Sequence, residues 1–157
     1  MGEILDTAIS FFKEDGWSFT QLEDQPILRV GFEGENGQWT CYAQAREEQA
    51  QLLFYSACPA KAPEDRRMAV AEFLTRVNYG LFIGNFELDM ADGEIRYKTS
   101  IDVEGDRLSP ALVKPLVYAN VLMMDRYLPG IMSVIYGNVA PAEAVAKVEG
   151  TASQAED

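Results

Sequence analysis

Histidine is absent from this chain of 157 residues. That removes the usual general base near neutral pH, the commonest metal ligand, and every nucleophile that a histidine would activate. Cysteine is scarce: Cys41 and Cys58 are the only two, without CxxC spacing, and no histidine stands by to complete a zinc set. Both lie in apolar company, WTCYA and YSACP, where a free thiol behaves as a small hydrophobe, so structural burial is expected of each. Positive charge is also short, with 13 Lys and Arg against 25 Asp and Glu, a net of −12. Such a surface repels phosphate backbones and anionic lipid, which argues against nucleic acid and membrane as partners. No apolar run approaches the ~20 residues a membrane span needs. The N-terminus shows neither a charged leader region nor a cleavage site, so a cytoplasmic setting with reduced thiols is expected.

What remains describes a globular chain. Its apolar content of 48% is enough for a core, and the length suits one domain over 1–150, followed by a polar tail over 151–157 expected to fray. Glu3–Asp15 carries Ile4, Leu5, Ala8, Ile9 and Phe12 at helical spacing, with Gly16 as its stop. Three strand-like runs follow, Ile27–Glu33, Gln38–Arg46 and Gln51–Ala57, joined by GENG and EEQA and reading as an antiparallel meander. Pro63 opens a second helix that runs through Asn78, with Met68, Val70, Ala71, Phe73, Leu74 and Val77 as its apolar stripe.

The stretch Arg76–Lys98, RVNYGLFIGNFELDMADGEIRYK, invites two chemical readings. A phosphate loop would cluster its glycines between strand and helix beside a lysine. Here Gly80 fits a left-handed helix cap, Gly84 a bulge or a close backbone approach, and Gly93 a tight turn between strands Phe82–Met90 and Glu94–Val103. A metal reading rests on Asp89, Asp92 and Glu94, which lack the alternating pattern of a calcium loop and suit a solvated hairpin end. In the last strand Ile95, Tyr97, Thr99, Ile101 and Val103 alternate with Arg96, Lys98, Ser100 and Asp102, so one face is core and the other wet. The stretch is therefore expected to be architecture, with no catalytic, cofactor or metal residues.

Ser109-Pro110 then starts a long helix to about Tyr127, kinked or re-started at Pro115 and interrupted by Pro129-Gly130. A short apolar segment, IMSVIYG, and a short helix Ala140–Val148 complete the fold. The long helix bears two apolar stripes: Leu112, Leu116, Met123 and Tyr127, and Val113, Val117, Val121, Met124 and Leu128. A surface helix needs one, since its other face meets water, so something besides its own sheet is expected to cover it. Asn120 falls between the stripes and is expected to fix orientation or dimer register; Met123, Met124, Tyr127 and Leu128 form an adaptable apolar patch. Arg66, Arg67 and Arg76 are expected as solvated charge paired with Glu64 and Glu72, and Asp125-Arg126 with Arg107 as ion pairs at the helix end.

The element order α-βββ-α-ββ-α implies an α+β two-layer domain, with helices on one face of an antiparallel sheet. The runs GNFELDMADGEIRYKTSIDVEG and LSPALVKPLVYANVLMMDRYLPGI resemble the YbjN-like proteins of bacteria, a family described as sensory-transduction regulators with a fold similar to type III secretion chaperones. The resemblance spans Glu3 to Val148. It implies a secretion chaperone-like fold and a dimer habit, and it carries no catalytic signature. The expected function is a non-enzymatic homodimeric interaction protein, chaperone-like or regulatory, whose Asn120, Met123, Met124, Tyr127 and Leu128 meet a second copy or a partner segment. The alternative is a small-ligand sensor with an apolar pocket between sheet and helices, oriented by Asn120, Tyr97 and Tyr127.

Overall fold

The computed structural model describes residues 2–156, with side chains described over 2–150. Six strands form one antiparallel sheet in the order β1-β2-β3-β4-β6-β5. They are β1 (Phe19–Gln21), β2 (Ile27–Glu33), β3 (Gln38–Arg46), β4 (Gln51–Ala57), β5 (Asn85–Leu88) and β6 (Ile95–Asp102). The meander β2-β3-β4 has the expected bounds, and its alternation is strict: along β3, Trp39, Cys41, Ala43 and Ala45 are buried between less buried neighbours. One-sided burial of this kind sets register, because a one-residue slip would turn every apolar side chain to water.

Three differences from expectation concern the strands. A short edge strand, β1, pairs with β2 in the stretch between Gly16 and Ile27, to which the sequence pattern assigns no element; three residues are too few to show a period. β5 is four residues long, not the nine of Phe82–Met90, because Gly84 at φ +78° breaks the run. A Cβ there would lie 2.7 Å from the Lys98 carbonyl oxygen, so the close backbone approach is real and excludes other residues. The β5–β6 link is also longer than a two-residue turn, spanning 89–94.

The helices are α1 (Glu3–Glu14), α2 (Arg67–Asn78, entered through a 3₁₀ turn at Glu64–Arg66), α3 (Pro110–Tyr136) and α4 (Pro141–Glu156). α1 buries Ile4, Leu5, Ala8, Phe11 and Phe12, and Glu47 from the β3–β4 turn seats its N-terminus by accepting from the backbone N–H of Ile4 at 3.0 Å and of Leu5 at 2.9 Å. That places a negative group at the positive end of the helix. α2 does not end on a left-handed Gly80, whose φ is not positive; it unwinds through Tyr79 and Gly80 by short-range backbone bonds. Along α2, Met68 is exposed, so it is no part of the buried stripe.

Pro129-Gly130 does not interrupt α3, which runs unbroken for 27 residues with Pro115 and Pro129 inside it. Ser109 caps it as expected, accepting from the Leu112 N–H at 3.3 Å. Gly130 serves packing, since a Cβ there would meet the Phe73 ring at 2.6 Å, so its small size brings α2 against α3. α4 extends beyond the predicted Val148. Of the tail expected to fray, 151–156 continue the backbone of α4, while 157 and the side chains from 151 on lie outside the described residues. The result is α+β in two layers, a sheet with its helices on one face.

Candidate interaction site

The long helix is the centre of the helical layer. Sheet strands β4 and β6 meet one side of α3, while α1, α2 and α4 of the same chain pack on the rest. Both stripes are thereby largely covered: Val113, Val117, Val121, Met124 and Leu128 are buried, as are Leu116 and Tyr127, with Leu112 exposed. A helix apolar all round is a buried helix, and this one needs no second copy to be so. Of the five residues expected at an interface, Asn120, Met124, Tyr127 and Leu128 face the interior, and Met123 is half-buried beside exposed Leu122.

Asn120 lies beneath the sheet. Its Nδ2 donates to the carbonyls of Phe54 at 2.9 Å and Tyr97 at 3.0 Å, and sits 3.2 Å from Thr99 Oγ1. Its Oδ1 is buried without a partner. The amide therefore ties α3 to β4 and β6. Tyr97 donates its hydroxyl to the Ile83 carbonyl at 2.6 Å, and burial pushes its pKa up to about 12, helped by the neighbouring Tyr127. Tyr127 donates to Glu149 at 3.1 Å.

The charged residues do different work from that expected. Asp125 makes no ion pair with Arg126 or Arg107; it accepts from the backbone N–H of Glu35 at 3.0 Å and Asn36 at 2.8 Å. Asn36 Nδ2 answers by donating to the Asp125 carbonyl at 2.9 Å. The carboxylate so fills the GENG hairpin that a Cβ on Gly34 would fall 2.4 Å from its Oδ1. Arg126 stacks over the Tyr127 ring at 5.1 Å. Arg66 donates to the Val134 carbonyl at 2.9 Å, near the negative end of α3, and Arg67 to the carbonyls of Ala62 and Met90, so neither pairs with Glu64. The expected Arg76–Glu72 pair is present at 2.8 Å. Asp89 and Asp92 accept from the backbone N–H of Ala91 and Glu94, which is turn capping.

The apolar surface that does reach solvent lies elsewhere. Tyr79 is 96% exposed and Phe82 98%, with Ile83 at 58%, all in the link from α2 to β5. Met68, 72% exposed, shares the outer face of α2 with Tyr79, eleven residues or about three turns away. Met90 is exposed near the start of that helix, its carbonyl bonded to Arg67 at 3.2 Å. The β5 edge beside them is partly closed: Asn78 Oδ1 accepts from the Phe86 N–H at 2.8 Å and Nδ2 donates to its carbonyl at 3.0 Å. Sequence reading missed this surface because YGLFIG reads as the start of a strand. The flanking Gly80 and Gly84 were the available signal that it is a loop.

The same fold, an antiparallel sheet with its helices on one face, occurs in known proteins. The chain belongs to the YbjN family, described as "putative bacterial sensory transduction regulator", whose model matches residues 6–132. YbjN from E. coli superposes with a TM-score of 0.60 at 16% identity, over 83% of this chain and 87% of that one. A chain of the ExsC–ExsE complex does so with a TM-score of 0.59 at 13% identity, over 82% and 96%. A chain of the HopA1–SchA chaperone–effector complex reaches 0.49 at 16% identity, over 78% and 91%. No curated protein matches the chain in sequence. Among the described residues, no helix is long and apolar enough to cross a membrane.

Proposed function

We propose that this chain is a non-enzymatic interaction protein, set in the cytoplasm, that pairs with a second copy of itself and holds a segment of another protein on apolar surface. One observation carries the reading: Tyr79, Phe82 and Ile83, three large apolar side chains, stand exposed within the short link from α2 to β5. Scattered apolar residues on a surface are ordinary, but a group of large ones marks an interface. The name of the ExsC–ExsE complex, which contains a chain of this fold, supports a role in pairing with protein. Partial closure of the β5 edge by Asn78 favours association through side chains over strand addition. Sedimentation at micromolar concentration tests the pairing. The native chain is expected to run as a dimer and Phe82→Asp with Tyr79→Asp as a folded monomer; a native monomer overturns it.

The alternative, a small-ligand sensor, has the unpartnered Oδ1 of Asn120 in its favour. Its prediction is a rise in thermal stability with ligand concentration across a metabolite panel.

A further inference from the structure

The face of the sheet away from the helices carries an ordered set of side chains. Register places Arg29 opposite Tyr42, Tyr42 opposite Tyr55, and Tyr55 opposite Lys98, one row across four strands. Arg96 stacks on the Tyr55 ring with its guanidinium 4.3 Å from the centroid. Ile27 and Leu53 flank the tyrosines on their other side. A groove of about 420 Å³ crosses this face, lined by Ile27, Tyr42, Tyr55 and Arg96 and, at the Arg96 end, by Lys61 and Glu94, a volume within the range of ligand sites. In a chain of net charge −12 the sign of this row stands out. Arg96 and Lys98 share the single carboxylate of Glu87, at 2.7 Å and 2.9 Å, and Arg29 makes no ion pair among the described residues. The row therefore carries a cation at each end and aromatic rings in the middle, Arg29 without an acidic partner among the described residues and the Arg96–Lys98 end beside Glu87 and Glu94.

We infer that this face binds an extended peptide segment that carries acidic side chains two positions either side of an apolar one. The spacing follows from the sheet. Three strand intervals of about 4.8 Å put Arg29 and Lys98 about 14 Å apart. Four residues of extended chain span about 13–14 Å, and in such a chain positions i, i+2 and i+4 face the same way. Acids at i and i+4 then meet Arg29 and the Arg96–Lys98 end, while the residue at i+2 packs on Tyr42 and Tyr55. Single-stranded nucleic acid also stacks on aromatic sheet faces, but the long-range repulsion of so acidic a chain opposes it.

This deepens the interaction role proposed above and rests on it. The full-length chain is used to select from a display library of 12-residue peptides at physiological salt, with (dT)12 as a second probe. The expected winners carry the acid–apolar–acid spacing. They lose at least about tenfold in affinity for Arg29→Glu and for Tyr55→Ala, both checked for an unchanged fold by thermal unfolding. Changing the acid that faces Arg29 to lysine is expected to restore binding to Arg29→Glu. Winners without acids, winners bound equally by the variants, no enrichment, or tight (dT)12 binding lost in the same variants would each overturn it. Sedimentation of the same samples separates the two claims: a dimer that selects nothing removes this face alone, and a monomer that selects acidic peptides removes only the pairing.

Discussion

Replacing Asn120 by aspartate changes almost no volume and reverses one polar group. In the native chain Nδ2 faces the carbonyls of Phe54 and Tyr97, so the group there must donate. A carboxylate has nothing to donate, and burying one unpaired costs about 3–5 kcal/mol. The acid escapes by keeping its proton, so burial and the facing carbonyls hold its folded pKa above the unfolded value of about 3.9. A raised folded pKa means stability that is full below the unfolded pKa and lost as pH rises, at about 1.4 kcal/mol per unit, up to the folded pKa. Asn120→Ala supplies the control. It loses two hydrogen bonds of about 1 kcal/mol each and leaves a small void, offset in part because the unpartnered Oδ1 leaves too. Its deficit of about 1–3 kcal/mol is expected not to depend on pH. The assay is urea unfolding of the three proteins at pH 5.5 and 8, safely above the pI of 4.4. An Asn120→Asp deficit that is the same at both pH values, or absent at pH 8, would refute the reasoning.

Asp125→Ala strips the acceptor from two hairpin N–H groups and is expected to cost about 2–3 kcal/mol, with faster amide exchange confined to Glu35 and Asn36. Burial pushes both thiols, Cys41 and Cys58, up to about 11, so at pH 8 only about one in a thousand is ionised. Both are expected to resist an aromatic disulfide reagent until denaturant is added; fast labelling of the native protein would contradict this. Burial alone would raise the pKa of Glu87, but hydrogen bonds from Lys98 and Arg96 outweigh it and hold it below the ordinary carboxylate range. A depressed folded pKa gives stability that is present above the unfolded value and lost as pH falls. Glu87→Gln is therefore expected to cost no more than about 1 kcal/mol at pH 7, by urea unfolding, with the difference largely kept at pH 5 and shrinking only as pH falls below the unfolded value of about 4.3.

The meander was legible because each of its strands obeys a period of two with one buried face, and Ser109-Pro110 announced the start of α3 by capping chemistry alone. The ends and the partners were not. Pro129 reads as a stop, yet α3 passes through it, since its neighbours α2 and α4 hold the helix on both sides. The double stripe showed that α3 is covered, and only the fold shows that the cover is α1, α2 and α4. Asp125 read as an ion-pair partner and Arg66 as solvated charge because their true partners are backbone groups far along the chain, in a hairpin and at a helix end. Backbone partners leave no trace in side-chain pattern.

The two surfaces that stay open differ in kind and place, and that bears on how they could act together. Met68, Tyr79, Phe82 and Ile83 belong to the helical layer and the β5 end of the sheet. Arg29, Tyr42 and Tyr55 lie on the bare face, on β2, β3 and β4, with Arg29 next to the β1 edge. Two copies meeting at the α2–β5 corner would leave both bare faces open. A partner carrying two acidic segments, joined by a linker long enough to reach, would then engage both faces. The second contact is made at the effective concentration that the linker sets. Breaking the pair with Phe82→Asp should accordingly leave the affinity for a single acidic peptide unchanged and remove the gain from tethering two. A single-peptide affinity that falls with the dimer would mean that the two surfaces are one.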